Sequence, residues 1–132
     1  MEVKLVRYTP DPELCVAAAA RVCYSDVSGS RILDKLTQEE AERRLRKVIA
    51  SGHHSVLEHA SFTFSIDGLS RAASHQLVRH RLASYSQQSQ RYVNLKKPEY
   101  VVPPTIAQRD DLREEYERAA RMAFDLYGKL RD

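Results

Sequence analysis

The chain has 132 residues, 42% of them hydrophobic, and a formal net charge of +3, which predicts a single domain with its own apolar core over residues 1–132. The sequence has no apolar run near the roughly 18 residues of a membrane-spanning helix, and its opening Met-Glu-Val-Lys is unlike a signal peptide. These features argue against a membrane protein or a secreted protein, so we expect a cytoplasmic protein.

The first predicted elements are a strand and a helix. Residues 2–8 alternate in polarity and include β-branched side chains, which is typical of a short strand. Asp11 is a favourable N-cap and Pro12 suits the first helical position, so a helix is predicted from there to about Cys23. Residues 24–31 contain a glycine and several serines and predict a loop.

Both cysteines of the chain fall in this first helix. Cys15 and Cys23 are eight residues apart, or about 12 Å along a helix axis at the usual rise. That separation is too large for a disulfide. We therefore expect two reduced, buried thiols rather than a disulfide or a metal-binding pair.

The second predicted helix has the clearest start. Thr37 is a suitable N-cap, Glu40 completes a capping box three residues later, and Gly52 ends the helix. The predicted buried stripe consists of Ala41, Leu45, Val48 and Ile49.

Two histidines and a strand come next. Residues 55–58 repeat the capping-box pattern, so His53 and His54 are predicted to lie in a tight link between two helical pieces. Residues 60–66 alternate as a strand does. The apolar face of this strand consists of Phe62, Phe64 and Ile66.

A third helix is predicted over residues 69–82. Gln76 is followed by Arg79 and His80 at spacings of three and four, which places these side chains together at the C-terminal end of that helix. The predicted core-facing positions are Leu69, Ala72, Ala73 and Leu77.

The last part of the chain predicts a connection and a long helix. Residues 92–105 contain three prolines and should be extended. Residues 112–130 have the spacing of a long amphipathic helix. Its apolar stripe consists of Leu112, Tyr116, Ala119, Ala123, Tyr127 and Leu130.

Positive charge is concentrated in residues 68–98. That segment holds six of the 21 Lys and Arg residues and none of the 18 Asp and Glu residues, so the rest of the chain has fifteen basic residues against 18 acidic ones. A local field of this kind attracts phosphate esters. From residue types alone we favour phosphate or nucleotide binding; the alternatives are single-stranded nucleic acid, which arginine and tyrosine can stack against, and a solvated cationic surface.

A zinc site is one alternative use of the histidines. The spacing is not His-Glu-x-x-His, and Glu58 has a predicted capping role, so we expect no metal. A polar rim formed by His53 and Ser55 beside a helix start, where N–H groups favour an anion, is a nearer interpretation, and an ordinary surface is the other. The residues that suggest zinc are His53, His54, Glu58 and His59.

An activated serine is the other alternative. Ser84, Ser86 and Ser89 lie near His80 in the sequence, but the nearest acids are Asp67 and Glu99. A serine nucleophile needs a base that is oriented by a third group. The sequence supplies no such group locally, which argues against a hydrolase.

One motif matches a known family. Arg79-His80-Arg81, seven further residues, Ser89 and then Arg91-Tyr92 resemble the signature of the flavin-dependent thymidylate synthases, the ThyX family. Residues 51–59, the strand around Phe62-Thr63-Phe64, and Gln76 three residues before Arg79 also match the family pattern. The resemblance covers roughly residues 1–130.

The resemblance implies an activity. Enzymes of this family make dTMP from dUMP by reductive methylation, with FAD as cofactor and with NADPH and methylenetetrahydrofolate as co-substrates. The reduced flavin delivers the hydride, so no protein nucleophile is required, and the protein positions and polarises the reactants. The substrate is then a small nucleotide rather than a nucleic acid, and no membrane is involved.

The resemblance also assigns roles to residues of this chain. Many relatives carry a glutamate where this chain has Gln87, which puts a charge-based role for Gln87 in doubt. The implied FAD contacts are His53, Ser55, Arg79, His80, Arg81 and Gln87. The implied nucleotide contacts are Gln76, Leu77, Val78, Arg79, Gln87, Gln88, Ser89, Gln90 and Arg91.

Finally, the resemblance implies a fold and an assembly. The expected protomer is a mixed α/β (α+β) structure with a mainly antiparallel sheet and long helices, in a homotetramer whose active sites are shared between subunits. Family members run well beyond 132 residues, and the arginine thought to polarise the pyrimidine lies beyond that point. We therefore assign no catalytic residue, expect no turnover from residues 1–132 alone, and keep a non-catalytic binding module for nucleotide, FAD or single-stranded nucleic acid as the alternative.

Overall fold

The computed structural model describes residues 1–94 and 99–131. These residues form two compact units, one made of residues 2–66 and the other of Met1 with residues 67–131. The single domain predicted over the whole chain stays a prediction. In the described part of the chain, no helix combines the length and the apolar character needed to cross a membrane.

A two-stranded antiparallel sheet joins the ends of the first unit. Strand β1, Glu2–Tyr8, pairs with strand β2, Phe62–Asp67. Just beyond the strands, Thr9 N donates to Ser61 O at 2.9 Å, and Ser61 N donates to the Thr9 hydroxyl oxygen at 2.9 Å. The prediction of the first strand is confirmed, and the second begins two residues later than predicted. Sheet and helices together confirm the mixed α/β class.

Three helices and a 3₁₀-helix lie between the two strands. Pro12 occupies the first turn of α1, as predicted. Gly52 takes a φ of 73° after the end of α3, a conformation that favours glycine. The helices are α1 (Pro12–Val22), α2 (Gly29–Lys35), α3 (Gln38–Ala50) and the 3₁₀-helix (His54–His59).

The core of this unit lies where α1, α2 and α3 meet. Ile32 is the largest fully buried side chain, and Leu14 and Leu45 pack against the core while remaining half-buried. Ile49, predicted as part of the buried stripe of α3, is 55% exposed. The core residues are Ala17, Ala18, Ile32, Leu36 and Ala41.

The helix caps of this unit match the predictions only in part. The Thr37 hydroxyl accepts a hydrogen bond from Glu40 N at 3.3 Å, which confirms the predicted cap. Asp11 occupies the N-cap position of α1, as predicted, but its φ of 43° is left-handed rather than the extended conformation usual at an N-cap, and its side chain makes no cap hydrogen bond. Ser55 lies inside the 3₁₀-helix rather than before it, so the predicted second capping box is wrong.

Two further predictions for this unit need correction. The loop predicted over residues 24–31 ends early, since α2 already begins at Gly29. Both cysteines are free thiols, as predicted, but only Cys15 is half-buried, with its Sγ donating to His59 O at 3.7 Å. Cys23, which follows the last residue of α1, is exposed rather than buried.

The described part of the second unit contains three helices. These are α4 (Arg71–Leu77), α5 (Pro104–Ala107) and α6 (Asp110–Arg131). Helix α4 ends five residues before the predicted Leu82, because Arg79 N and His80 N bond to the carbonyls three residues back and tighten the last turn. The short α5 interrupts the connection predicted to be extended, whose residues 95–98 lie outside the described part.

Helix α6 confirms the predicted long helix. Tyr116 donates its hydroxyl to Val101 O at 3.0 Å, and the ring of Tyr100 lies 6.1 Å from that of Tyr116 and 6.4 Å from that of Phe124. The predicted apolar stripe is nevertheless largely open, since Leu130 is 78% exposed. The helix is linked along its length by ion pairs, including Arg113 to Glu117 at 2.9 Å.

Candidate functional site

The basic segment consists of α4 and the loop that follows it. Ser70 caps α4 by accepting a hydrogen bond from Ala73 N at 3.2 Å. Because α4 ends at Leu77, Arg79, His80 and Arg81 lie after the helix and not at its C-terminal end as predicted. Lys96 and Lys97, counted in the basic segment, lie outside the described residues.

The implied nucleotide contacts on α4 differ in exposure. Gln76 is exposed, whereas Leu77 and Val78 are half-buried. The predicted core positions Ala72 and Ala73 are exposed, and the buried side chain of this helix is that of Ser74.

The loop returns to α4 through two side-chain contacts. Gln87 donates its side-chain N–H to the hydroxyl oxygen of Ser74. Arg71 Nη1 donates to the backbone carbonyl of Gln88 at 3.3 Å. Ser74 in turn donates its own proton to Arg71 O at 3.0 Å. The structure thus brings Gln87 and Gln88, two implied nucleotide contacts, against the helix that carries Gln76.

A turn around Ser89 shapes the end of the loop. The Ser89 hydroxyl oxygen accepts a hydrogen bond from Arg91 N at 3.2 Å, and Ser89 O accepts one from Val93 N at 3.0 Å. A hydroxyl group has one proton to donate besides its lone pairs. Since both bonds use oxygen lone pairs, the Ser89 proton remains a donor for a ligand, next to the exposed side chain of Arg91.

The cationic side chains of this segment face solvent. Arg79, His80, Arg81 and Arg91 are all exposed. Among residues 1–94 and 99–131, none of the side chains of these four residues takes part in a hydrogen bond or ion pair. Arginine side chains without a carboxylate partner keep their donors for an anion, and the guanidinium group can bind phosphate in bidentate fashion.

The implied FAD contacts His53 and Ser55 belong to the other unit, residues 2–66. His53 precedes the 3₁₀-helix and Ser55 lies in its first turn, and both residues are exposed. In the described part of the chain, no three His, Cys, Asp or Glu side chains converge in a way that could hold a metal ion.

Sequence reasoning missed Ser74 and Arg71. Ser74 follows the capping Ser70 at a spacing of four and precedes the half-buried Leu77 and Val78 at spacings of three and four. That spacing places the four residues on one helical face. A serine on the packed face of a short helix is the signal that points to a tertiary hydrogen bond, because a buried hydroxyl needs a partner.

The sequence of this chain is similar to those of known proteins from one family. A family model described as thymidylate synthase complementing protein matches residues 4–132. The chain is 49% identical to a flavin-dependent thymidylate synthase of Geobacter sulfurreducens, covering 100% of this chain and 58% of that protein. It is 45% identical to one of Clostridium tetani (98% and 52% covered) and 42% identical to one of Pyrococcus horikoshii (88% and 49% covered). The chain therefore spans about half the length of these curated relatives.

Proposed function

Because the chain belongs to the thymidylate synthase complementing protein family, we propose that it carries the nucleotide- and flavin-binding residues of a flavin-dependent thymidylate synthase. The reaction is the reductive methylation of dUMP to dTMP, with methylenetetrahydrofolate as carbon donor, NADPH as reductant and FAD as cofactor. The names of its curated relatives support this assignment.

The observation that carries the proposal is the loop from Gln87 to Arg91. It is held against α4 by the contacts of Ser74 and Arg71, in a segment without carboxylates. It presents a serine proton and an arginine side chain on one short turn. These are the charge-assisted donors that a phosphate dianion requires.

In this proposal the loop binds dUMP. Ser89 and Arg91 donate to its phosphate, while the side-chain amides of Gln87, Gln88 and Gln90 offer donors and acceptors to the base and sugar. The remaining contacts come from the end of α4 and the residues after it, which are Gln76, Leu77, Val78 and Arg79.

The same segment fits FAD by the chemistry of its donors. Arg79, His80 and Arg81 are consecutive and exposed, and a diphosphate takes charge-assisted hydrogen bonds from such groups. Gln87 adds an amide, and His53 and Ser55 are proposed as further contacts. FAD, when bound, supplies the hydride of the reaction. The cationic side chains hold its diphosphate and stabilise negative charge near the ring.

The assembly and the location are part of the proposal. We propose a homotetramer with shared active sites and a cytoplasmic location. A light-scattering mass four times that of the protomer would support the tetramer, and a monomer at the concentration where FAD binds would contradict it.

Ligand binding tests the proposal directly. The purified protein should show flavin absorbance, and dUMP at 100 times its dissociation constant should stabilise the fold by about 2.7 kcal/mol. Deoxyuridine, which lacks only the phosphate, is the matched control and should have a far smaller effect. If a single-stranded oligonucleotide binds with an affinity that falls steeply with salt, and dUMP changes nothing, the nucleic-acid module is the correct function instead.

A further inference from the structure

We propose that Ser74 is a positioning residue, which orients the side-chain amide of Gln87 and holds the loop of residues 87–91 in the conformation that binds the nucleotide. This inference rests on the proposed function and deepens it. The resemblance assigns Gln87 and its neighbours to the ligands, and it assigns no role to Ser74.

Burial makes the Ser74 hydroxyl an unusual group in this unit. The residue is 9% exposed and is the buried polar residue of the described chain, on a helix whose neighbouring alanines are exposed. Buried hydroxyl groups are costly unless they are hydrogen-bonded. Ser74 satisfies this requirement twice, by donating to Arg71 O at 3.0 Å and by accepting from Gln87.

The direction of these bonds decides the orientation of the amide. A serine carries one hydroxyl proton, and here that proton points to Arg71 O. The oxygen of Ser74 can therefore only accept from Gln87, so the amide nitrogen faces the helix. The amide oxygen of Gln87 then points away from Ser74, where it can accept a hydrogen bond from an N–H group of a base or a flavin ring.

A second contact holds the next residue. Arg71 Nη1 bonds to the carbonyl of Gln88 at 3.3 Å, so two successive loop residues are tied to α4, one by side chain and one by backbone. Ligand binding costs less free energy when a loop is already ordered. The loss of the Ser74 contact should consequently weaken ligand binding more than it weakens the fold.

The experiment compares Ser74→Ala with Ser70→Ala in the full-length protein with FAD bound. Ser70 is the matched control, because it is the serine that caps the start of α4, and no hydrogen bond joins its side chain to residues 87–91 in the described part of the chain. We expect Ser74→Ala to weaken dUMP binding about 3- to 10-fold by calorimetry, the effect of one hydrogen bond. Ser70→Ala should lower the melting temperature and leave dUMP affinity unchanged.

Rescue and coupling separate positioning from a general structural role. Ser74→Thr keeps the hydroxyl, which can bond to the carbonyl three residues back, and should restore dUMP affinity to within about twofold. In a Gln87→Ala background, Ser74→Ala should cause no further loss, because both changes break the same contact. The inference would be overturned if Ser74→Ala lowered dUMP affinity in the Gln87→Ala background as much as it does in the wild type. It would also be overturned if Ser74→Ala alone left dUMP affinity unchanged.

Amide hydrogen exchange needs no ligand, so it tests the role of Ser74 independently of the proposed function. If the wild-type protein binds neither dUMP nor FAD, the proposed function fails, and amide hydrogen exchange of the loop then decides the role of Ser74. Ser74→Ala should speed exchange at Arg91 N and Val93 N, which bond within the turn at Ser89. Exchange at those amides that matches the wild type would refute the positioning role.

Discussion

The unit of residues 2–66 and the unit of residues 67–131 are each stabilised internally by different kinds of interaction. In the first unit apolar side chains from three helices are buried together, with Ile32 at 2% exposure. In the described residues of the second unit the one buried side chain is that of Ser74. The contacts there include hydrogen bonds and ion pairs, together with the ring contacts of Tyr100 with Tyr116 and Phe124. The candidate nucleotide loop belongs to this second, polar unit.

Apolar burial and hydrogen bonding differ in how well they orient a side chain. The hydrophobic effect is non-directional, so burying apolar surface stabilises a fold without fixing where a polar side chain points. A hydrogen bond is directional, so it fixes where a side chain points at little gain in overall stability. A loop held by polar contacts is thus precisely oriented but weakly stabilised, as expected of segments that bind ligands.

The strongest test of the comparison is Ile32→Ala. Removing this side chain from the first unit leaves a cavity among α1, α2 and α3, and should lower the free energy of unfolding by about 2–5 kcal/mol. Urea denaturation measures the change. The control is Leu33→Ala, since Leu33 is its neighbour on α2 but 45% exposed, and a comparable loss there would contradict a core centred on Ile32.

Arg91→Ala tests the polar unit through binding. Arg91 makes no side-chain bond within the described residues, so its removal should leave the unfolding transition unchanged. We expect dUMP affinity to fall about 10- to 100-fold, the effect of a charge-assisted contact. Arg43→Ala on α3 removes the same charge from an exposed position. Equal losses in both variants, titrated at one ionic strength, would indicate a long-range charge effect instead.

Thr37→Ala tests a polar contact inside the apolar unit. The Thr37 hydroxyl caps α3, and its loss should lower the free energy of unfolding by about 1 kcal/mol, less than the core substitution. Thermal unfolding followed by circular dichroism measures this difference. Thr37→Ser keeps the cap and should be close to wild type; a loss as large as that of the alanine variant would mean that the threonine methyl group matters instead.

The smallest effect is expected on α6. The Arg113 side chain holds the pKa of Glu117 below its ordinary value of 4.5, by a hydrogen bond and by its charge, and Arg121 adds to this. A lowered carboxyl pKa contributes stability that is fully present above 4.5 and is lost as the pH falls through the lower pKa of the folded protein. Arg113 is exposed and Glu117 is half-buried, so the pair is accessible to solvent and salt should weaken the contribution further.

Glu117→Gln checks this pH dependence. The variant should be slightly less stable than wild type at pH 7, and the two melting temperatures should converge as the pH falls below 4.5. Glu114→Gln removes the same charge from an exposed position that forms none of the ion pairs found on the described part of α6. A difference for Glu117→Gln that persists at low pH would rule out the ion pair as its cause.

The limits of α3 and α4 illustrate how far local sequence signals reach. Thr37 and Gly52 delimit α3 as predicted, because a cap and a left-handed turn depend on residues only a few positions apart. The end of α4 was missed by five residues, since the periodicity continues past Leu77 while the chain turns away. A hydrophobic pattern indicates which residues are compatible with a helix, but it does not indicate where the chain leaves that helix.

The sequence by itself determined the first strand, the start of α3, the long helix α6 and the family, through alternation, capping residues, periodicity and the Arg-His-Arg motif. These features depend on neighbours in the chain. Only the tertiary structure decided that Ser74 is buried and that Gln87 bonds to it, thirteen residues away. Such a contact depends on the path of the loop between them, and no spacing in the sequence specifies that path.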